Sequence, residues 1–208
     1  LDNDFACTCL PYPEVPKGMP GIDGVMVTLD ASFAVLSYDD RYGDLIYSEF
    51  SKVDLARKDW VVDGVPDGPV LYAADGYRQG VAEPGPDRGV SPTVPLNSTS
   101  EGNPLLDIVY HDREVKSLWH ARFDPTLHQT IHRTLLPVEG QVGSFSCLVK
   151  SPQTNRLTGL VYVEKDAGGT LTQLVRIEAL VDDPQSANDW SSEVLLSRPL
   201  PQTKAEPC

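Results

Sequence analysis

The sequence predicts an all-β fold assembled from about three four-stranded antiparallel meanders, and three observations predict it. Short runs rich in Val, Leu, Ile, Tyr and Trp alternate with polar residues and are separated by Asp, Gly, Ser and Pro, the pattern of half-buried strands joined by tight turns. One design recurs: an apolar run reaching a Tyr, an acidic turn, then a run opening with Leu. It occurs as SYDDRYGDLIYSEF, as IVYHDREVKSLWHARF and, more weakly, as LVYVEKDAGGTLTQLVRI, so that Tyr38, Tyr110 and Tyr162 align. Helical periodicity is nearly absent, the best candidate being SKVDLARKD at residues 51–59, where a connection between strands is expected.

Residues 1–20, LDNDFACTCLPYPEVPKGMP, combine two cysteines with prolines and read as an extended, stapled entry segment. The first meander is GVMVTLDAS, FAVLSYDD, DLIYSEFS and DWVVDGV. Residues 67–89 follow as an inserted loop full of Gly and Pro breakers, with room for one extra hairpin. The second meander is VSPTVPLN, LLDIVYHD, SLWHARF and TIHRTLL; the third is SFSCLVKS, LTGLVYVE, TLTQLVRI and SSEVLLS. Strand-forming sequence thus fills residues 21–200, and residues 201–208 form a tail.

Thirty acidic residues against 17 basic ones give a formal net charge of −13, so a phosphate backbone would be repelled and nucleic acid is a poor partner. No apolar run approaches the roughly 20 residues that a membrane-crossing helix needs. The chain opens at Leu1 without Met or signal segment, the expectation being a processed or truncated product. Cys7, Cys9, Cys147 and Cys208 lack the paired knuckles of a zinc site; disulfides are the favoured reading, with Cys7 and Cys9 too close in sequence to join each other easily. Asn97-Ser98-Thr99 matches the glycosylation acceptor pattern.

A four-stranded antiparallel unit recurring along the chain is the mark of β-propeller blades. In Gly24, Tyr38-Asp39-Asp40 and Leu45-Ile46-Tyr47, then Gly89, Tyr110-His111-Asp112 and Leu118-Trp119-His120, the chain resembles bacterial extracellular β-propeller repeat proteins. The third copy departs from this, with Tyr162-Val163-Glu164 keeping the step and Leu171-Thr172-Gln173 lacking the aromatic. The resemblance implies propeller blades in a secreted or cell-surface protein, with the periplasm as the other compartment, acting in protein binding, assembly or structure. Rings close with about four to eight blades, so three imply a ring that is incomplete or shared with another polypeptide or further copies. A β-sandwich with irregular strand spacing is the alternative.

In such a unit the turns after Tyr38, Tyr110 and Tyr162 share one face, making Asp40, His111, Asp112 and Glu164 the candidate ligand set. Their carboxylates would suit Ca²⁺, but turn capping through backbone N–H groups is the favoured role. His128 and His132 read as strand residues too far apart to chelate zinc. Tyr42, Tyr72 and Tyr77, in turns or the insertion, are the candidate platforms for a glycan. Tyr47, Trp119, Trp60 and Trp190 are expected in the packing between units. Nucleophile elbows, metalloprotease motifs and phosphate loops are absent from the sequence, so a hydrolase or lyase using Asp40, His111, Asp112 and Glu164 is the rival reading, without positive support.

Overall fold

The computed structural model describes residues 20–29, 31–64, 67–74, 77–79, 88–95, 105–138, 141–164 and 171–199. The entry segment, Cys7, Cys9, Asn97, Cys208 and the tail lie outside the described residues. The described chain is all-β, in three antiparallel sheets that follow one another along the sequence. The first holds β1 (Pro20–Thr28), β2 (Ser32–Asp39), β3 (Asp44–Ser51), β4 (Arg57–Asp63) and the two-residue β5 (Gly68–Pro69). The second holds β6 (Arg88–Thr93), β7 (Leu106–Asp112), β8 (Ser117–Asp124) and β9 (Gln129–Leu135); the third holds β10 (Gln141–Lys150), β11 (Leu157–Glu164), β12 (Leu171–Ala179) and β13 (Trp190–Pro199). Each sheet is a meander, every strand pairing with its sequence neighbour.

Proline obeys the geometry of the ladder. Pro20, Pro69, Pro92 and Pro199 all fall on edge strands, where a missing N–H breaks no inner pairing. The turns share one chemistry as well. Asp39, Ser51, Asp112, Asp124 and Ser151 open five of them, and four positions later Gly43, Leu55, Lys116, His128 and Asn155 each take positive φ. The opening side chains accept backbone N–H groups: Asp39 Oδ1 from Arg41 at 3.1 Å, Asp112 Oδ1 from Val115 at 3.1 Å, and Asp124 Oδ1 from Thr126 at 2.8 Å. Residues 51–59 therefore contain no helix; Ser51 starts one of these turns and Arg57 begins β4.

The second sheet lies between the other two. Ile108, Tyr110, Ala121 and Phe123 on one face pack with Leu36, Leu45, Tyr47 and Val62 of the first sheet. Val109, Leu118 and Leu136 on the other face pack with Leu148, Val161, Val175 and Ile177 of the third. Burying one such side chain contributes about 1.5–3 kcal/mol, so both junctions are apolar at heart. At the first junction Gly89, at φ +90°, passes so close to β3 that an added Cβ would sit 2.4 Å from that of Leu45. Only glycine fits there.

Register corrects one expectation about the repeat. Tyr38 pairs with Leu45, and it is His111, not Tyr110, that pairs with Leu118. Tyr110 is displaced by one residue and so points to the opposite face, toward the first sheet, where its hydroxyl donates to Asp63 at 2.5 Å. Tyr162 lies on the face of β11 opposite Val161 and Val163, away from the second sheet. The three tyrosines are not equivalent, although the strands that carry them are.

Each sheet also has a one-residue irregularity between its third and fourth strands, leaving Val62, Ile131 and Leu195 as the unmatched residues. At Val62 the consequence is visible. Its carbonyl accepts from Thr130 Oγ1 at 2.8 Å and Arg133 Nη2 at 3.1 Å, tying the first sheet to the second.

Candidate functional site

Of the polar residues singled out in the first two meanders, Asp112 joins a cluster at the turn end of the first two sheets, where the chain buries four aspartates. Asp39 and Asp44 close the β2–β3 hairpin as a cross-strand pair, Asp63 ends β4, and Asp112 ends β7; all four are buried. Burying a carboxylate is costly unless a cation accompanies it, and three arginines do so here. Arg78, itself buried, arrives from the segment after β5 and places Nη1 2.7 Å from Asp44 Oδ2 and 3.8 Å from Asp39 Oδ2. Its guanidinium lies 4.6 Å from the centre of the Tyr42 ring, and its backbone N–H donates to the Tyr42 hydroxyl at 2.9 Å. Arg88 bridges Asp63 at 3.6 Å and Asp112 at 3.4 Å, while Arg133 reaches Asp63 and Asp67.

Compensation is incomplete on the outer side. Burial raises the Asp44 carboxyl to about 6, with Arg78 pulling it down and Asp39 and Asp63 pushing it further up. Asp39 is raised for the same first reason, against the backbone N–H of Tyr42 and the charge of Arg78. Burial next to Asp63 lifts the Tyr110 hydroxyl well above its ordinary value, so it remains a donor.

The segment that delivers Arg78 roofs the outward face of the first sheet. Val70 N–H donates to the Asp59 carbonyl at 2.8 Å, and the Tyr72 hydroxyl donates to Asp59 Oδ2 at 2.9 Å. Tyr72 and Arg78 form an isolated bridge, and the Arg41 guanidinium lies 4.2 Å from the Tyr77 ring centre.

A second polar centre joins the second and third sheets. Asp107 and Arg122 are direct cross-strand partners on β7 and β8, and both are buried. Asp107 Oδ1 accepts from Arg122 Nε at 2.9 Å and His120 Nε2 at 3.1 Å, while Lys150 Nζ of β10 approaches Oδ2 to 3.4 Å. Arg122 continues to Asp183, in the segment joining β12 to β13. Burial alone would raise Asp107; the His120 hydrogen bond and the charges of His120, Arg122 and Lys150 outweigh it and hold the carboxyl at about 2.

Comparison with known proteins returns no match to this chain among family models, curated proteins or solved structures. The residues must therefore speak for themselves. Of those expected from sequence, Asp112 belongs to the first cluster, Tyr42 packs beneath Arg78, and buried His111 sits on β7 beside Asp112. Asp40 is exposed in its turn, and Glu164 ends β11 in a different sheet. Tyr42 is buried and offers no open ring to a glycan; Tyr72 and Tyr77 are half-buried and engaged as described above. Cys147 is disulfide-bonded, its partner lying outside the described residues. Among the described residues no group of three or more His, Cys, Asp or Glu could hold a metal ion.

Trp60 and Trp190 do pack between sheets. The Trp60 ring stacks on His128 of the second sheet at 3.7 Å, and Trp190 lies 5.1 Å from His120. Sequence reasoning passed over Asp44, Asp63, Arg78, Arg88 and Arg133. It also missed Asp107 and Arg122, although their pairing follows from extending the β7–β8 hairpin.

Proposed function

We propose that the chain is a non-catalytic, extracellular or cell-surface assembly module that stacks sheets in the manner of propeller blades, its third sheet receiving a further sheet from a second copy. The observation that carries this reading is the contrast between the two end faces. The outward face of the first sheet is roofed by the chain's own residues 67–74 and 77–79. On the outward face of the third, Leu160, Tyr162 and Leu174 are half-buried, while Val149 and Leu196 are 44% and 43% exposed.

The meander order and the approach of β6 to both β1 and β10 support the propeller-like stacking. Mixed charge supports a second copy as the occupant. Arg176 on this face pairs with Glu193 at 2.9 Å and Glu178 at 3.6 Å, so a two-fold image of the face meets both signs despite the acidity of the whole chain. Of the two aspartates expected to act as acid or base, Asp112 instead caps its turn and pairs with Arg88, which favours architecture over turnover.

Sedimentation velocity across a wide concentration range tests the reading. The native chain should form a dimer that the double variant Val149→Lys/Leu196→Lys cannot. A monomer at every concentration, or a dimer unaffected by the two lysines, overturns it.

A further inference from the structure

Beside Asp107 the junction of the second and third sheets holds two imidazoles. His120, on β8, is fully buried, and the His132 ring, on β9, is centred 5.5 Å from it. Their remaining ring nitrogens, His120 Nδ1 and His132 Nε2, are buried without a hydrogen-bond partner among the described residues, as is Trp190 Nε1. The two rings therefore fill the junction as packing groups while retaining the capacity to take up protons.

We propose that His132 is an acid trigger in this junction: neutral, it lets the third sheet close on the second; protonated, it drives the two apart. The charges that face it come from every neighbouring element. Asp107 on β7, His120 and Arg122 on β8, Lys150 on β10, and Asp183 with the Pro184 carbonyl after β12 surround the site. Two fixed cations are already matched by two carboxylates, of which Asp107 accepts from three groups. A proton on His132 adds positive charge beside Arg122, where both carboxylates among the described residues, Asp107 and Asp183, are already engaged.

The direction of the ring's own equilibrium agrees. Burial lowers the His132 pKa, His120 and Arg122 lower it further, and the Pro184 carbonyl and Asp107 only partly restore it. An opened junction takes up the proton more readily than a closed one. As pH falls below the ordinary histidine value of about 6.5, the population shifts toward the opened form. What opens is this junction, which otherwise holds the third sheet to the second through the apolar cluster around Leu118 and Leu148, Thr134 Oγ1 donating to the Gln185 carbonyl at 2.9 Å and Ser192 Oγ donating to the Pro137 carbonyl at 2.6 Å.

Hydrogen exchange of the full chain, resolved by peptide and corrected for the intrinsic pH dependence, tests this at pH values above and below the histidine range. In acid, β10–β13 should lose at least tenfold in protection while β2–β4 do not. His132→Gln should keep the neutral-pH protection and abolish most of the acid loss. An equal loss in all three sheets, or an unchanged acid loss in the variant, overturns the proposal. Should His132→Gln be unprotected already at neutral pH, proton NMR titration of the native histidines decides: the His132 midpoint must coincide with the exchange midpoint.

Discussion

Asp44 and Asp107 are both buried aspartates facing an arginine at hydrogen-bonding distance, yet one is pushed up to about 6 and the other held at about 2. Burial acts on both in the same direction, so the difference lies in the company each keeps. Asp44 shares Arg78 with Asp39 and has Asp63 as a further like charge. Asp107 gathers His120, Arg122 and Lys150, with no second buried carboxylate beside it among the described residues. An ion pair is thus decided by the ratio of charges in its neighbourhood rather than by the contact alone. Asp44 has like charges around it, whereas Asp107 is ringed by cationic partners.

The largest test of this comparison removes the arginines one at a time. Arg78→Met strips Asp39 and Asp44 of their shared cation and should cost about 3–5 kcal/mol in urea unfolding, the usual penalty for stranding a buried charge. Arg122→Met should cost markedly less, because His120 and Lys150 remain on Asp107. Adding Asp44→Asn to the Arg78 variant should recover much of the loss. Equal costs for the two arginines would break the account.

How much of this was legible beforehand follows from where each partner sits in the chain. The strands were readable because alternation and turn residues are local: DLIYSEFS and LTGLVYVE coincide with β3 and β11. Asp39 and Asp112 as turn caps were readable for the same reason. Asp107 and Arg122 were recoverable in principle, since closing the hairpin from Asp112 and Ser117 carries the pairing back to them. Arg78 was not, because nothing local announces that an insertion will fold back and drive a guanidinium between Asp39 and Asp44. The alignment of Tyr110 with Tyr38 failed because strand alternation makes a one-residue slip invisible in composition yet decisive for the facing surface.

Acid should move the two centres in opposite directions, and Asp44→Asn isolates one of them. Folded Asp44 takes up a proton near pH 6, whereas the unfolded chain waits until about 3.8, so lowering the pH from 7 toward 5 stabilises the first sheet. Above pH 7 that contribution is absent, and the buried carboxylate bears its full desolvation cost. In Asp44→Asn the protection of β2–β4 should become flat over this range, while the acid response of β10–β13 persists. Loss of both responses together would mean that the centres are coupled rather than independent.

The smallest effect belongs to a third contact, outside both centres. His128 closes the β8–β9 turn at φ 52°, stacks on Trp60 and sets Nε2 3.0 Å from Glu49 Oε2, whose other oxygen accepts from Ser32 Oγ at 2.5 Å. Both side chains of this pair remain partly open to water, 30% for His128 and 24% for Glu49, so their attraction is screened. Glu49→Gln keeps an acceptor and removes the charge, and should cost only about 0.2–1 kcal/mol in urea unfolding. His128→Ala should cost more than Glu49→Gln, because it also loses the flat stack on Trp60 and leaves a less tolerant residue at positive φ. If the two substitutions cost the same, charge rather than stacking and turn geometry holds this part of the first junction, and its contrast with the densely charged centres disappears.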